Sequence, residues 1–389
     1  MQVKAGITRR SALKLALATG GAAALPLWPR QAVAAGKVNF ADIGVGDPDG
    51  DWSRYTKSSG YGVNLVSIGN APSAILNVLV AGGGTGTYDI INIVGGMQKP
   101  LVDNTLIEEL DPSKIPNWGK DKNISEFLAS GTPGFQFIGY EGKIYGCPTV
   151  LQGDSFAYLP EKTGALDSYA ALFDPKFKGY VALEDNYTTA GQKTALYLKT
   201  SGKADIKNPD DMTVDEIKKV VDFLIEQKKA GQFRVIWSSF QQAVDLIVNK
   251  EVYVIDCWEP MVFAAKSKGV DAVYADPKEG YLLWAMAAYL VKNPKRSAEQ
   301  EAAAYQLLDF MLGGWYGAKI TTMRGYMTNT DAPAYAKAHA DEFSAEDAAK
   351  VASITDNVRR KFAKGGTWQN RWPTAVEAYE SEWSRFKSA

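Results

Sequence analysis

Three segments near the amino terminus set the fold class: Val63-Asn64-Leu65-Val66-Ser67-Ile68, then Pro72-Ser73 leading into Ala74–Ala81, then Tyr88-Asp89-Ile90-Ile91-Asn92-Ile93-Val94. The first alternates like a strand. Pro72-Ser73 opens an apolar helix, which Gly82-Gly83-Gly84 closes. The third reads as a buried strand with Asp89 near its start. This β-α-β order predicts a parallel sheet covered by helices. The glycine cluster Gly82–Gly86 follows a helix and precedes a strand, the reverse of a phosphate-binding loop, and no lysine accompanies it. It reads as a helix stop and turn.

The same alternation extends outward. Val38–Ile43 is a short strand on the amino-terminal side. Lys143–Val150 and Phe156–Tyr158 form a strand region broken at Gly153-Asp154. A second α/β unit follows, with strand Gly179–Leu183, helix Thr189–Thr200, the amphipathic helix Val214–Ala230 and strand Phe233–Trp237. Ser238-Ser239 caps a helix over Phe240–Val248. Val252–Cys257 and Tyr281–Val291 are further strands. The remainder reads as helices: Ala298–Leu312 with Ser297 as its N-cap, Gly314–Met323, Ala334–Phe343, Ala345–Val358 and Pro373–Lys387. The fold class is therefore α/β, with two α/β units meeting at Gly153.

The amino terminus carries a different message. Thr8-Arg9-Arg10-Ser11-Ala12-Leu13-Lys14 precedes an apolar, small-residue stretch from Leu15 to Trp28, and Ala32-Val33-Ala34 follows. Residues 1–34 look like a bacterial twin-arginine export signal, although Ala12 stands where an aromatic is usual. The competing reading is a basic amino terminus on a core helix. Removing residues 1–34 takes away Lys4, Arg9, Arg10, Lys14 and Arg30 and no acid, so 43 basic and 44 acidic residues become 38 and 44, a net charge of −6. That mild acidity argues against nucleic acid as a partner. No later apolar run is long enough to span a bilayer. A chain of 389 residues has ample length for two domains.

Catalytic chemistry has little to work with. The single histidine, His339, sits in Ala-Lys-Ala-His-Ala-Asp on an expected exposed helix. Without a cysteine/histidine cluster no metal site is expected, and no cofactor. No Gly-x-Ser-x-Gly elbow accompanies the histidine. Glu184-Asp185 is adjacent in sequence and would point to opposite faces of a strand. Cys147 and Cys257 are too few for a disulfide framework; one bridge and two buried thiols both remain open.

From Asp174-Pro175-Lys176-Phe177-Lys178-Gly179 to Gln369 the chain resembles the spermidine/putrescine-binding proteins of ABC importers. The resemblance covers nearly the whole chain after residue 34. It implies a two-lobed periplasmic-binding-protein fold, the type II "Venus flytrap", with a hinge between the lobes and ligand held in the cleft. Lobe 1 is expected at 35–153 and 284–330, lobe 2 at 154–283 and 331–389. Four positions match ligand-contacting residues of that family: Trp258, Trp284, Tyr326 and Gln369. Aromatic faces suit an alkylammonium ligand, which they hold by apolar contact and cation–π attraction.

The departures point to the ligand. One family aspartate is Met286 here, and two further acids fall at Asn186 and Thr189. A buried ammonium without a carboxylate is costly, so these changes argue against tight binding of spermidine or putrescine. Glu259, directly after Trp258, and Asp154, at the lobe crossing, are the candidate replacements. Asn186, Ser238 and Ser239 are candidates for the ligand's polar end. A small amine that also carries a carboxylate or hydroxyls, amino-acid-like or opine-like, fits this pattern. The resemblance implies a monomeric receptor in the periplasm, with the permease and ATPase of an ABC importer as partners. An exported enzyme and a ligand-presenting sensor are the alternatives.

Overall fold

The computed structural model describes residues 36–68, 72–80, 83–119 and 125–389. The expected export signal, residues 1–34, lies outside the described residues. The protein is a two-lobed α/β molecule. Its strands are β1 (Lys37–Asp42), β2 (Gly62–Ser67), β3 (Ile90–Val94), the short hairpin β4 (Gly139–Tyr140) and β5 (Lys143–Ile144), β6 (Gly146–Tyr158), β7 (Val181–Glu184), β8 (Phe233–Trp237), β9 (Val254–Cys257), β10 (Val273–Tyr274), β11 (Tyr281–Leu290) and β12 (Gly366–Trp368).

One sheet runs through both lobes in the order β2-β1-β3-β11-β6-β9-β7-β8. In the first lobe β1 pairs in parallel with β2 and β3, and the helices Ser53–Ser59 and Pro72–Val80 make the crossovers. This is the parallel unit that the opening segments predict. In the second lobe β7 pairs in parallel with β8 and β9. The two parallel sets are joined by β6 and β11, which pair antiparallel from Leu282 opposite Asp154 to Tyr289 opposite Gly146. β6 then continues past this pairing to join β9 through Ser155–Tyr158.

Every residue of β6 and of β11 is buried. Strands covered on both faces read as unbroken apolar runs, and Tyr-Leu-Leu-Trp-Ala-Met-Ala-Ala-Tyr-Leu is such a run. The break expected at Gly153-Asp154 is absent, and β6 passes straight through it. Gly153 is there because of packing. A Cβ on it would lie 3.2 Å from side-chain atoms of Leu283, Tyr281 and Lys361.

Local signals set the helix starts. Thr213 and Glu216 form a capping box at the start of Val214–Lys229, and Ser344 and Asp347 do the same for Ala345–Lys364. Such caps contribute about 1 kcal/mol each. Ser297 and Ser239 cap their helices as expected. The carboxyl-terminal helices depart from the expected lobe boundary. Ala332–Ala338 and Ala345–Lys364 pack on Gly314–Arg324, and Val358 and Phe362 enter the first lobe's core beside Leu283. Only Val376–Ser388 packs against Val214–Lys229 in the second lobe's core. The assignment of all of 331–389 to the second lobe is therefore corrected. The cause is the apolar stripe of Ala345–Lys364, which runs beyond Val358 and faces the crossing strands. His339 follows the short helix Ala332–Ala338, with its ring stacked on Tyr335 at 3.8 Å.

Cys147 and Cys257 are both free and buried in separate cores. Burial pushes both thiols above the usual range. Thiol reagents should therefore leave the native protein unmodified and react with both cysteines after denaturation. Dithiothreitol should leave Tm unchanged; a fall in Tm on reduction would contradict this arrangement.

Candidate functional site

A cavity of about 420 Å³ opens between the lobes. It lies outside the carboxyl ends of the parallel strands, where open α/β sheets place their ligands. Ile43 follows β1, Val94 ends β3, Glu184 ends β7, Trp237 and Ser238 close β8, and Trp258 follows β9; all line the cavity. The crossing strands supply Asp154, Trp284 and Met286. Gln369–Pro373 forms another wall. Gly96 makes room for that segment, since at φ 90° its Cβ would stand 2.4 Å from the Asn370 carbonyl oxygen.

Seven expected residues are brought together here: Trp258, Trp284, Tyr326, Gln369, Asp154, Asn186 and Ser238. Trp284 packs edge-on against Tyr326, with ring centroids 5.6 Å apart, and Trp258 packs edge-on against Trp237 at 5.8 Å. Asn186 caps the turn Tyr187–Gly191, accepting from the Thr188 backbone at 2.8 Å and from its hydroxyl at 2.9 Å. Two expected residues lie elsewhere. Glu259 turns away from the cavity, because Lys361 Nζ reaches its Oε2 at 2.7 Å and Asn357 Nδ2 its Oε1 at 3.1 Å. Ser239 is spent on its helix cap, accepting from Gln242 N at 3.3 Å.

Sequence reading passed over Glu184. Its carboxylate accepts from Trp258 Nε1 at 3.0 Å, so the wall tryptophan and this acid form one unit. The adjacent pair does diverge: Asp185 accepts from Trp383 Nε1 at 2.9 Å and pairs with Lys387 at 3.3 Å. The usable signal was Glu184's place at the carboxyl end of a parallel strand. Arg371 and Lys387 also line the cavity; Arg371 is paired with Asp210 at 3.2 Å.

The electrostatics beneath the cavity are lopsided. Asp154, Glu184 and Asp256 are all buried, and the lysine buried among them, Lys193, is ion-paired with Asp256. Neither Asp154 nor Glu184 has a lysine or arginine within ion-pair distance among the described residues. Burial pushes the Asp154 carboxyl up to about 6, against the pull of Lys193. Burial, and then the charge of Asp256, push Glu184 up to about 8. Burial works against the charge on Lys193, yet Asp256 and Asp154 outweigh it and hold its pKa above the usual lysine range. Gln369 Oε1 is buried with no hydrogen-bond partner among the described residues, and Asp154 Oδ1 and Trp284 Nε1 fall short of a full hydrogen bond, although the indole lies near enough to pull against the rise of the Asp154 carboxyl. Buried polar atoms are nearly always paired, so three such under-paired atoms on one cavity mark a surface built to receive a polar solute.

Fold and cavity together define a two-lobed solute receptor. The chain belongs to the bacterial extracellular solute-binding protein family, whose model matches residues 53–352. It is 25% identical over 346 residues to the spermidine/putrescine-binding periplasmic protein 1 of Haemophilus influenzae, covering 88% of this chain and 86% of that one. Its fold matches a spermidine/putrescine ABC transporter substrate-binding protein of Streptococcus pneumoniae with TM-score 0.66, 17% identity and coverage of 91% and 99% of the two chains. It also matches the binding protein AgtB of A. tumefaciens R10, solved with agropinic acid, with TM-score 0.60, 19% identity and coverage of 91% and 99%. No helix among the described residues is long and apolar enough to cross a membrane.

Linkage fixes the sign of a pH effect. A carboxyl whose pKa is raised on folding ionises first in the unfolded chain. Its contribution is fully present below its ordinary pKa and is lost as pH rises through the folded value. For Glu184 that window runs from 4.5 to about 8. Ligand-free protein should therefore lose stability across it in denaturant titrations. Glu184→Gln should flatten the loss, and a variant as pH-sensitive as the wild type would contradict the assignment.

Proposed function

We propose that this chain is the periplasmic receptor of an ABC importer, and that it captures a small amine-type solute between its lobes. The observation that carries the reading is the pair of buried, cavity-facing carboxyl groups of Asp154 and Glu184, unpaired by any described lysine or arginine. An ammonium group entering the cavity supplies the opposite charge that these acids lack. The faces of Trp258, Trp284 and Tyr326 add cation–π attraction, about 0.5–2 kcal/mol per good contact. The spermidine/putrescine-binding role of the Haemophilus influenzae and Streptococcus pneumoniae relatives supports a binding role here. In this reading the receptor is a monomer, exported by its twin-arginine signal, and it delivers solute to a membrane permease and ATPase.

The second half of the solute is favoured by different groups. Arg371, Ser238, Asn186 and Gln369 share the cavity with the acids. They suit a solute that carries a carboxylate or hydroxyls besides its amine, as amino-acid-like and opine-like compounds do. The absence of three family acids argued against spermidine and putrescine. Glu184 restores one carboxylate that this comparison left out, so diamines belong in the same screen.

The decisive experiment is calorimetry and thermal shift of the protein with putrescine, spermidine, amino acids and opines. A ligand at 100 times its Kd raises stability by about 2.7 kcal/mol. If no amine produces a shift at millimolar concentration, the reading fails. For the amine that binds, Trp258→Ala, Trp284→Ala and Asp154→Asn should each weaken affinity at least about tenfold, about 1.4 kcal/mol, with the fold retained. Unchanged affinity in all three would place the ligand elsewhere.

A further inference from the structure

The wall of the cavity is held from behind. Trp258 is the cap residue of helix Glu259–Ser267, and Glu259 is the first residue of that helix. Glu259 is 8% exposed. Its Oε2 receives Lys361 Nζ at 2.7 Å and Gln152 Nε2 at 3.2 Å, and its Oε1 receives Asn357 Nδ2 at 3.1 Å. The partners come from different bodies. Helix Glu259–Ser267 buries Met261, Val262 and Ala265 in the second lobe's core. Lys361 and Asn357 ride on helix Ala345–Lys364, which packs on the first lobe. Lys361 also donates to Gln152 Oε1 at 2.9 Å and to the Gly153 carbonyl at 3.0 Å, on the strand that passes between the lobes. Its ammonium stands 4.8 Å from the Tyr274 ring and 5.4 Å from the Tyr281 ring. The bare Cα of Gly153 is what lets the helix approach this closely.

We propose that the buried Glu259–Lys361 pair is an interlobe pivot, and that both are positioning residues for the cavity wall. Separating a buried pair leaves two unpaired charges in a medium that solvates neither. When the lobes move, this point therefore stays closed and the motion turns about it. The grip of Lys361 on Glu259 fixes the start of the helix and so the backbone of Trp258. Trp258 in turn holds the Glu184 carboxyl through its indole N–H. The relay runs from a first-lobe lysine to a cavity acid on the second lobe. Apolar replacement of such a pair is often neutral for stability, so the value of this one lies in geometry. The proposal rests on ligand capture between the lobes, but the pivot is a property of the ligand-free chain.

The test reads lobe geometry directly. Lys57 and Lys229 are exposed on helices of the first and second lobes. Lys57→Cys and Lys229→Cys carry nitroxide labels, with Cys147 and Cys257 buried beyond reach of the reagent. Pulsed electron-spin measurements without ligand then compare the wild-type pair with Glu259→Gln/Lys361→Met, which removes both charges and keeps their shapes. Expected are a retained circular dichroism spectrum, a broadened or split interlobe distance distribution, and amide exchange at Trp258 about tenfold faster. A folded double variant with the wild-type distance distribution overturns the pivot. If the double variant fails to fold, Glu259→Gln alone carries the same comparison. Failure of the wild type to bind any amine would sink the functional reading and leave this measurement untouched.

Discussion

The antiparallel pairing of Gly146–Tyr158 with Tyr281–Leu290 is the constraint on which the other parts depend. It forms one spine through two cores. Leu282 packs into the second core while its neighbour Leu283 packs into the first. The parallel strands of each lobe add to this spine from opposite sides, so their carboxyl ends converge on one crevice. Because its two faces feed different cores, a one-residue slip would send Leu282 and Leu283 each into the wrong core and disrupt the packing of both. The cavity is thus a consequence of how the two halves are stitched, and Asp154 and Trp284 stand in it because the stitch passes there.

The charges beneath the cavity follow from the same geometry. Strands that end at a crevice aim their last side chains into it, and two of those ends carry Glu184 and Trp258. Lys193 and Asp256 neutralise each other in the second core, while Lys361 and Glu259 do so behind the wall. After these two pairs are formed, Asp154 and Glu184 remain as the buried acids facing the cavity. Burial makes these carboxyls reluctant to ionise in the protein alone, and a cation entering between the aromatic walls favours their charged form. Selectivity then falls to the uncharged and basic groups that share the cavity.

Residue by residue, the sequence carried much of this and missed particular things for particular reasons. The β-α-β order of Val63–Val94 was legible because periodicity and glycine stops are local. So were the caps at Ser239 and Ser297. Trp258, Trp284, Tyr326 and Gln369 were legible only by resemblance, since nothing local distinguishes a cleft tryptophan from a core one. Glu259 was misplaced because its position beside Trp258 says nothing about a lysine about a hundred residues further along the chain. Glu184 was passed over because adjacent acids on a strand point to opposite faces and so do not act as a pair, and only the meeting of its strand end with the other lobe shows that one of them faces a cavity. Gly153 looked like a strand break, and only the approach of Lys361 explains it.

By itself, then, the amino-acid sequence determined the α/β class, the alternation of strands and helices, the helix starts and a set of aromatic candidates. The class, the alternation and the helix starts follow from interactions among residues a few positions apart, while the aromatic candidates came from resemblance to a family. Tertiary structure alone decided which acid faces the cavity and which is consumed by an ion pair. It also decided to which lobe the helix Ala345–Lys364 belongs and that the two cysteines stay apart. The physical reason is that burial and charge pairing depend on side chains brought together from distant segments. The energy of a carboxylate changes by several kcal/mol according to whether its neighbour is a lysine, a tryptophan face or water.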